Sequence, residues 1–332
     1  MLTQKALSKI SKGEIIDHFL ILKKCDVKTT KANKPYLNLE LADQYSSVQA
    51  NLWDDFEGFL STVNIGSIVK ISGLMDEYQG QPQVKVSNIR CSTEEDNVSA
   101  EEFLPKSKID ITIMKREFKN RVEKISNPFL KKLLSMIFNS TTFETYAKAP
   151  AGKSWHHSYL YGLLEHTLEI IKICDLMCDI HPEVNRDLLV SGAMMHDFGK
   201  IEELTFDSVF DYSDKGKLIG HIVISAIEIN EKAGKISGFP EDLKNQLIHL
   251  VLSHQGKLEY ASPVVPKTLE SIILYQADEL SAKTNAYKSA IQNEANGGNN
   301  KWTKYQPLAQ TAFYISDDFV KLSNETKQTL FD

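Results

Sequence analysis

The pattern of apolar residues changes its period once along this chain of 332 residues, and that change restricts the possible folds. Before about residue 92, apolar and polar residues alternate with a period of two in short segments such as YLNLELAD (36–43), as in half-buried strands. After about residue 108, apolar residues recur every three or four positions, as in helices. The sequence therefore predicts a multidomain α+β protein, with a β domain followed by a helical domain.

The first part contains several short predicted strands. YLNLELAD is followed, after a polar turn, by SVQANLWD (47–54), and the segment 67–90 holds two more strands around a turn at Gly80. Closely spaced strands with few helical stretches between them favour a small barrel. Residues 13–92 resemble the OB-fold of nucleic-acid-binding proteins in the order Tyr36, Trp53-Asp54, Gly66, Val69, Gly73 and Tyr78-x-Gly80.

This resemblance implies that the barrel binds a nucleic-acid strand. Tyr36, Trp53 and Tyr78 are the aromatic residues expected to stack on bases, and Lys31 and Lys34 are expected to follow the phosphate backbone. The alternatives are that Trp53 belongs to the barrel core and that the lysines are ordinary solvated side chains.

The acidic and polar segment 92–108, STEEDNVSAEEFLPKSK, separates the two patterns. Residues 1–92 carry 11 basic and 10 acidic side chains, whereas the whole chain has a net charge of −6, which argues against a generally basic nucleic-acid-binding coat. We predict an OB-like domain at 1–92, a linker at 93–108 and a helical domain at 109–332.

The sequence also indicates the compartment. It contains no run of roughly 20 apolar residues that could cross a bilayer and no apolar signal segment near Met1, so we predict a cytoplasmic protein without a membrane partner. Its four cysteines are too sparse for a secreted disulfide scaffold, and we interpret them as reduced.

The segment LLVSGAMMHDFGK (188–200) places His196 and Asp197 directly after eight uncharged residues. A carboxylate buried at a helix end costs several kcal/mol unless it is paired, neutralised or coordinated. Helical spacing directs His166 and His254 inward as well, and Asp278 lies in a mostly apolar segment. Each histidine alone could be a hydrogen-bonded core residue, but together these residues favour a site for Mn²⁺, Fe²⁺ or Zn²⁺.

The same residues resemble a known signature. His166, His196-Asp197 and Asp278 resemble the H…HD…D pattern of the HD-domain metal-dependent phosphohydrolases, and His221 and His254 resemble the further histidines of its dinuclear members. The phrases HHSYLYGLLEHT, MMHDFGK, LIGHI and LSHQGKLEYASPVVPKTLE, in this order behind an OB-like segment, are similar to those of the YhaM-type 3′-to-5′ exoribonucleases.

The resemblance implies an all-α HD domain and an enzyme that hydrolyses single-stranded RNA, with single-stranded DNA as a further substrate to test. Asp197 would bridge two ions about 3.5–4 Å apart, which activate water and stabilise the charge of the transition state. Mn²⁺ is the ion that the family implies. Lys200 and His157 would contact a phosphate or the leaving oxygen. The metal ligands are divided between a first ion with His166, His196 and Asp278 and a second with His221 and His254.

One departure from the family pattern concerns the second ion, because Gln255 stands where the dinuclear pattern often has a further histidine. Two other functions remain open at the level of sequence. The chain could hydrolyse a small nucleotide or a cyclic dinucleotide, or it could bind single strands without catalysis. The sequence leaves the oligomeric state open.

Overall fold

In the computed structural model, which describes residues 4–296 and 300–325, the chain forms two units with separate cores. The first unit runs to Lys106 and also includes Phe206–Phe210. The second comprises Ser107–Thr205 and the chain from Asp211 onward. In the described ranges, no helix combines the length and the apolar character that a membrane span requires.

The first unit is a five-stranded closed barrel in which the strands follow the order β1-β2-β3-β5-β4. On β2, Leu37, Leu39 and Leu41 are fully buried and alternate with partly exposed residues, which is the pattern that the sequence predicts. The barrel and its four predicted strands are therefore confirmed. The strands are β1 (Ile15–Thr29), β2 (Pro35–Ala42), β3 (Ser47–Leu52), β4 (Ile68–Tyr78) and β5 (Gln81–Cys91).

The first and longest strand, β1, was not among the predicted strands. Leu20, Ile21 and Leu22 are all fully buried, so the strand has no clear alternation at its centre. The first half of β1 pairs with β4 and the second half pairs with β2. The register of the β1–β2 pairing shifts between Leu22 and Lys24 of β1. This bulge lets one long strand close the barrel, because it bends the strand where its partner changes.

The segment 93–108, predicted as a linker, is ordered up to Lys106 within the first unit. Two 3₁₀ turns occupy Glu94–Asp96 and Ala100–Glu102, and Arg90 forms a two-pronged ion pair with Asp96 at 2.7 Å. Phe103 is 2% exposed and packs in a small cluster with Ile21 and Ala42. The acidic residues therefore cap turns on the barrel, which the composition alone did not indicate.

The second unit consists almost entirely of helices. Asn127 accepts hydrogen bonds from the backbone of Phe129 and Leu130, and Pro128 begins the helix, as the sequence predicts. Besides helices, the described part of the unit contains a hairpin of two short strands, β6 (Leu204–Thr205) and β7 (Asp211–Tyr212), and two isolated β-bridges between residues 302 and 314. The short helix α1 (Glu57–Leu60) belongs to the barrel, and the others are α2 (Ile111–Glu123), α3 (Pro128–Ile137), α4 (Ser140–Lys148), α5 (Gly162–Ile180), α6 (Arg186–Met195), α7 (Lys200–Glu203), α8 (Asp214–Ile219), α9 (His221–Gly234), α10 (Glu241–Ser253), α11 (Leu269–Asn296) and α12 (Asp317–Glu325).

Five helices determine where the buried polar residues meet. Helix α5 packs on α6 and α11, and α10 packs on α6, α9 and α11. Their facing surfaces are apolar over most of their length, and the polar residues lie where the helices converge. The histidine direction inferred from helical spacing is confirmed for α10, because His254 is fully buried whereas His249 is only partly buried.

Candidate metal centre

Five segments of the helical unit bring the predicted ligands to one point. Asp197 is 2% exposed and lies at its centre, directly after the C-terminal end of α6. The residues around it are His166 of α5, His196 at the end of α6, His221 at the first position of α9, His254 at the end of α10 and Asp278 of α11.

The two carboxylate oxygens of Asp197 face different histidines. Its Oδ2 atom lies 3.2 Å from Nε2 of His196 and 3.8 Å from Nε2 of His166. Its Oδ1 atom lies 3.2 Å from Nε2 of His221 and 3.7 Å from Nε2 of His254. One side chain is thus shared between two groups of potential ligands, each with donor atoms within 4.8 Å of one another.

Asp278 joins the first group, because its Oδ1 atom lies 3.0 Å from Nε2 of His166. The structure therefore brings together all six residues that were predicted as metal ligands.

Hydrogen bonds at the far side of each imidazole set its orientation. When Nδ1 donates to a protein acceptor, the lone pair of Nε2 is left free for an ion. All four histidines have such an acceptor: Ser281 Oγ for His166 (2.9 Å), the Ala193 carbonyl for His196 (2.8 Å), Glu203 Oε1 for His221 (2.9 Å) and the Val251 carbonyl for His254 (2.7 Å).

The residues present fit a divalent ion. The Nε2 atoms of His166, His196 and His221 and the Oδ1 atom of Asp197 are buried without a hydrogen-bond partner. Unpartnered buried polar atoms are costly, and converging imidazole and carboxylate donors are the set that Mn²⁺, Fe²⁺ and Zn²⁺ accept. The two groups include no cysteine, which distinguishes them from a closed structural zinc site.

The pKa values within the cluster are also perturbed. Burial, together with neighbouring histidines, lowers the pKa of His254 to about 4 and that of His166 well below its usual value, so both imidazoles are neutral. Burial acts in the same direction on His196 and His221, but the Asp197 carboxylate outweighs it and their pKa is raised. Burial alone would raise the pKa of Asp197, yet the surrounding ammonium and imidazole groups hold it well below its usual value.

The predicted catalytic residues Lys200 and His157 have different positions. The ammonium group of Lys200 lies 2.7 Å from Oδ2 of Asp197 and donates to the carbonyl of Ala151. His157 is 1% exposed and its Nε2 atom lies 3.2 Å from Glu169, whereas the adjacent His156 lines the cavity beside Asp197. His156, to which the sequence assigned no role, therefore lies at the cavity, whereas the predicted phosphate contact His157 is buried beside Glu169.

Three supporting residues were also missed by sequence reasoning. Ser281 accepts from Nδ1 of His166 and donates to Glu169 at 2.6 Å, and Glu169 also lies next to His157. Glu203 accepts from both Nδ1 and the backbone nitrogen of His221, each at 2.9 Å. The one available signal was local: Glu169 follows His166 by three residues, on the same helix face.

The start of α5 is tightly fitted around this network. Tyr161 has a φ of 71°, a left-handed conformation that glycine adopts with less strain. A Cβ atom at Gly162 would lie 2.0 Å from the carbonyl oxygen of His157, so only glycine allows this approach.

The predicted barrel contacts do not form a single group. Tyr36 and Trp53 stack with their ring centroids 4.5 Å apart, and Trp53 is 37% exposed, so it does not belong to the barrel core. Exposed Lys31 lies in the adjoining β1–β2 turn, as does Lys34, which pairs with Asp54 at 2.7 Å. Tyr78 lies at the opposite end of the barrel strands. It pairs with Gln81 at the start of β5, and because β3 runs parallel to β5, the start of β5 adjoins the start of β3, whereas Trp53 follows the end of β3.

Two family models match the parts of the chain that hold these features. The HD domain matches residues 163–283, and the OB-fold nucleic acid binding domain matches residues 23–91. Among solved structures, the second OB-fold domain of replication protein A from Methanococcus maripaludis covers 26% of the chain at 18% identity, with a TM-score of 0.22 that is too low to bear on the fold. The fold and the site thus define an HD-domain enzyme with an OB-fold nucleic-acid-binding domain.

Curated relatives extend over most of the chain. The 3′-5′ exoribonuclease YhaM of Bacillus subtilis is 32% identical over 280 residues, which are 84% of this chain and 88% of the relative. YhaM of Listeria monocytogenes is 32% identical over 89% of this chain and 93% of the relative, and YhaM of Oceanobacillus iheyensis is 33% identical over 84% and 88%. The chain belongs to the family of YhaM 3′-5′ exoribonucleases, which confirms the resemblance seen in the sequence.

Proposed function

We propose that this chain is a Mn²⁺-dependent exoribonuclease that removes nucleotides from the 3′ end of single-stranded RNA and releases nucleoside 5′-monophosphates. Its relatives are named as 3′-5′ exoribonucleases. The observation that carries the proposal is the pair of buried donor groups that share Asp197. We assign His166, His196 and Asp278 to one ion and His221 and His254 to the other.

The ions would supply Lewis-acid chemistry, making water more acidic and stabilising the charge that develops on the phosphoryl oxygens. The chain itself keeps the donors ready. Asp197 remains ionised, and the Nδ1 hydrogen bonds hold each imidazole in the tautomer that presents Nε2. Because the cluster is mostly buried, little of this orientation has to be organised during the reaction.

The hydrolysis itself adds one water molecule across a phosphodiester bond. The oxygen of water joins the phosphorus atom, the bond to the 3′ oxygen of the preceding nucleotide breaks, and that oxygen leaves with a proton. The Lys200 side chain lies against Asp197 at the cavity wall. Burial, together with His166, holds the pKa of His156 well below its usual value, so His156 contacts the phosphate as a neutral hydrogen-bonding group.

The barrel supplies affinity for the strand. The stacked pair Tyr36 and Trp53 offers an exposed aromatic surface beside Lys31, which are the elements that sequence-tolerant single-strand binding uses. We assign the chemistry to the helical unit and strand retention to the barrel.

The polarity and the products are tested with one RNA oligonucleotide labelled at its 5′ end and incubated with the purified protein and MnCl₂. A 3′-to-5′ exonuclease produces a ladder of progressively shorter labelled strands together with nucleoside 5′-monophosphates. Immediate release of a labelled mononucleotide would show the opposite polarity, and absence of products would contradict the proposal. A DNA strand and an RNA duplex of the same sequence test the substrate class.

Asp197→Ala tests the site. We expect loss of detectable hydrolysis together with loss of bound manganese, measured by elemental analysis, because the variant removes the carboxylate shared by both donor groups. Glu202→Ala is the matched control, since Glu202 is an exposed carboxylate in α7 that forms an ion pair with Lys215 and is not among the proposed ligands. Near wild-type cleavage by Asp197→Ala in manganese would refute the assignment.

A further inference from the structure

A cavity of about 300 Å³ opens beside the metal centre, and the centre accounts for only part of its wall. Its polar side contains Asp197, Lys200, His254 and Asp278. The remaining wall combines polar residues such as Glu279 and Lys283 with four aromatic side chains, which are Trp155, Tyr260, Tyr275 and Tyr287. Hydrolysis of a phosphodiester does not require these rings, so they need a separate explanation.

Two of the rings are accessible. Trp155 is 41% exposed and Tyr260 is 49% exposed. Trp155 meets Tyr287 almost perpendicularly, with centroids 5.8 Å apart and an interplanar angle of 81°. In such an edge contact at most one face of each ring is covered, so Trp155 retains a flat face that Tyr287 does not cover.

The aromatic wall is assembled by specific packing. Gly256 has a φ of +77°, and a Cβ atom there would lie 2.2 Å from the Tyr275 ring, so glycine lets the ring rest against the loop after His254. The Tyr287 ring is supported by Phe313, with centroids 4.7 Å apart. The rings of Tyr275 and Tyr287 are therefore held in place beside the centre.

We propose that this cavity is the subsite for the 3′-terminal nucleoside of the RNA, with its base stacked on Trp155 while the phosphate on its 5′ side lies at the metal centre. This inference rests on the proposed function. A volume of about 300 Å³ is at the lower end of ligand cavities, which fits one nucleotide at a time. Every base has an aromatic face, so stacking retains each nucleotide in turn without selecting its sequence.

The decisive comparison uses two RNA strands that differ only in the terminal residue, which carries either a base or an abasic ribose. We expect wild-type kcat/KM to favour the intact end by roughly ten- to a hundredfold, the range that one base–aromatic stack provides. Trp155→Ala should reduce this preference toward one, and Trp155→Phe should retain most of it. Trp302→Ala is the matched control, because Trp302 is 59% exposed in the same unit but does not line the cavity.

A second measurement does not depend on catalysis. A nucleoside 5′-monophosphate, the expected product, should quench tryptophan fluorescence in the wild type and in Trp302→Phe but much less in Trp155→Phe. An unchanged preference in Trp155→Ala, or equal quenching in the two phenylalanine variants, would overturn the subsite. If the wild type cleaves neither strand but Trp155-dependent quenching is present, the exonuclease proposal fails while nucleotide binding in the cavity stands.

Discussion

Glu203 offers a direct test of the second donor group, because in the described part of the chain it hydrogen-bonds His221 and no other proposed ligand. Its Oε1 atom accepts two hydrogen bonds of 2.9 Å, from Nδ1 and from the backbone nitrogen of His221. Burial alone would raise the pKa of Glu203, but the bond from His221 outweighs it and the pKa is lowered. Glu203 is therefore a carboxylate at neutral pH, and its bond to the imidazole is charge-assisted.

Glu203→Ala removes the acceptor of both hydrogen bonds and leaves the His221 side chain free to rotate or to change tautomer. Altering such a supporting group typically weakens metal affinity by about 10- to 100-fold, or roughly 1.4–2.7 kcal/mol. Glu203→Gln keeps an acceptor oxygen without the charge, so we expect a loss of about tenfold or less. Both losses should fall on the ion that we assign to His221 and His254, and binding of the other ion should be nearly unchanged.

Manganese binding is measured by calorimetric titration of the metal-free proteins, and activity is followed against manganese concentration in parallel. Glu202→Gln in the same short helix serves as the control, and circular dichroism verifies that each variant is folded. If folded Glu203→Ala gave binding and activation curves that coincide with those of the wild type, His221 would not be a metal ligand oriented by Glu203.

Three further outcomes follow from the structure. Gln255 lines the cavity, and its amide nitrogen lies 3.3 Å from Nε2 of His254. Gln255→His should therefore shift activation to manganese concentrations about tenfold lower. Superimposable activation curves of the two proteins would show that residue 255 does not contact the ion. Because the pKa values of His196 and His221 are raised, a binding ion must displace protons from them. Manganese affinity should therefore rise as the pH increases through those pKa values, and calorimetry in buffers of different ionisation enthalpy should detect the released protons. A manganese affinity that does not change with pH would contradict the assignment. Trp53→Ala should weaken binding of a long RNA by roughly five- to a hundredfold with little change in the salt dependence of binding. Lys31→Ala should reduce the magnitude of the slope of log K against log salt by about 0.7 if Lys31 contacts one phosphate. Fluorescence anisotropy at several salt concentrations checks both expectations, and unaltered affinity in both variants would show that the barrel does not bind the strand.

The inward direction of the buried histidines could be read from helical spacing. His254 continues the stripe of Leu247, Leu250 and Val251, and it is fully buried in the structure. The supporting residues could not be found in this way. Ser281 lies 115 residues from His166, and Glu203 belongs to a different helix from His221, so no local period relates the members of either pair.

In the barrel, too, some features could be read from the sequence and others could not. Alternation predicted β2 to β5, but it failed for β1, whose centre is buried without alternation, and composition did not reveal that Phe103 of the predicted linker packs on the barrel. The three barrel aromatics looked equivalent in the sequence. Strand pairing separates Tyr78 from Tyr36 and Trp53, because the parallel register of β3 and β5 decides which strand ends adjoin.

The sequence by itself determined the order of a β and a helical domain, the inward direction of the buried histidines and the chemical types available to hold an ion. Those properties depend on residue type and on repeats of two or 3.6 residues, which are local. Only the tertiary structure decided which oxygen of Asp197 faces which histidine, which nitrogen each imidazole presents, and that His156 rather than His157 lines the cavity. These outcomes depend on how distant helices pack side by side, since shifts of about one ångström at such contacts decide whether two atoms can bind the same ion.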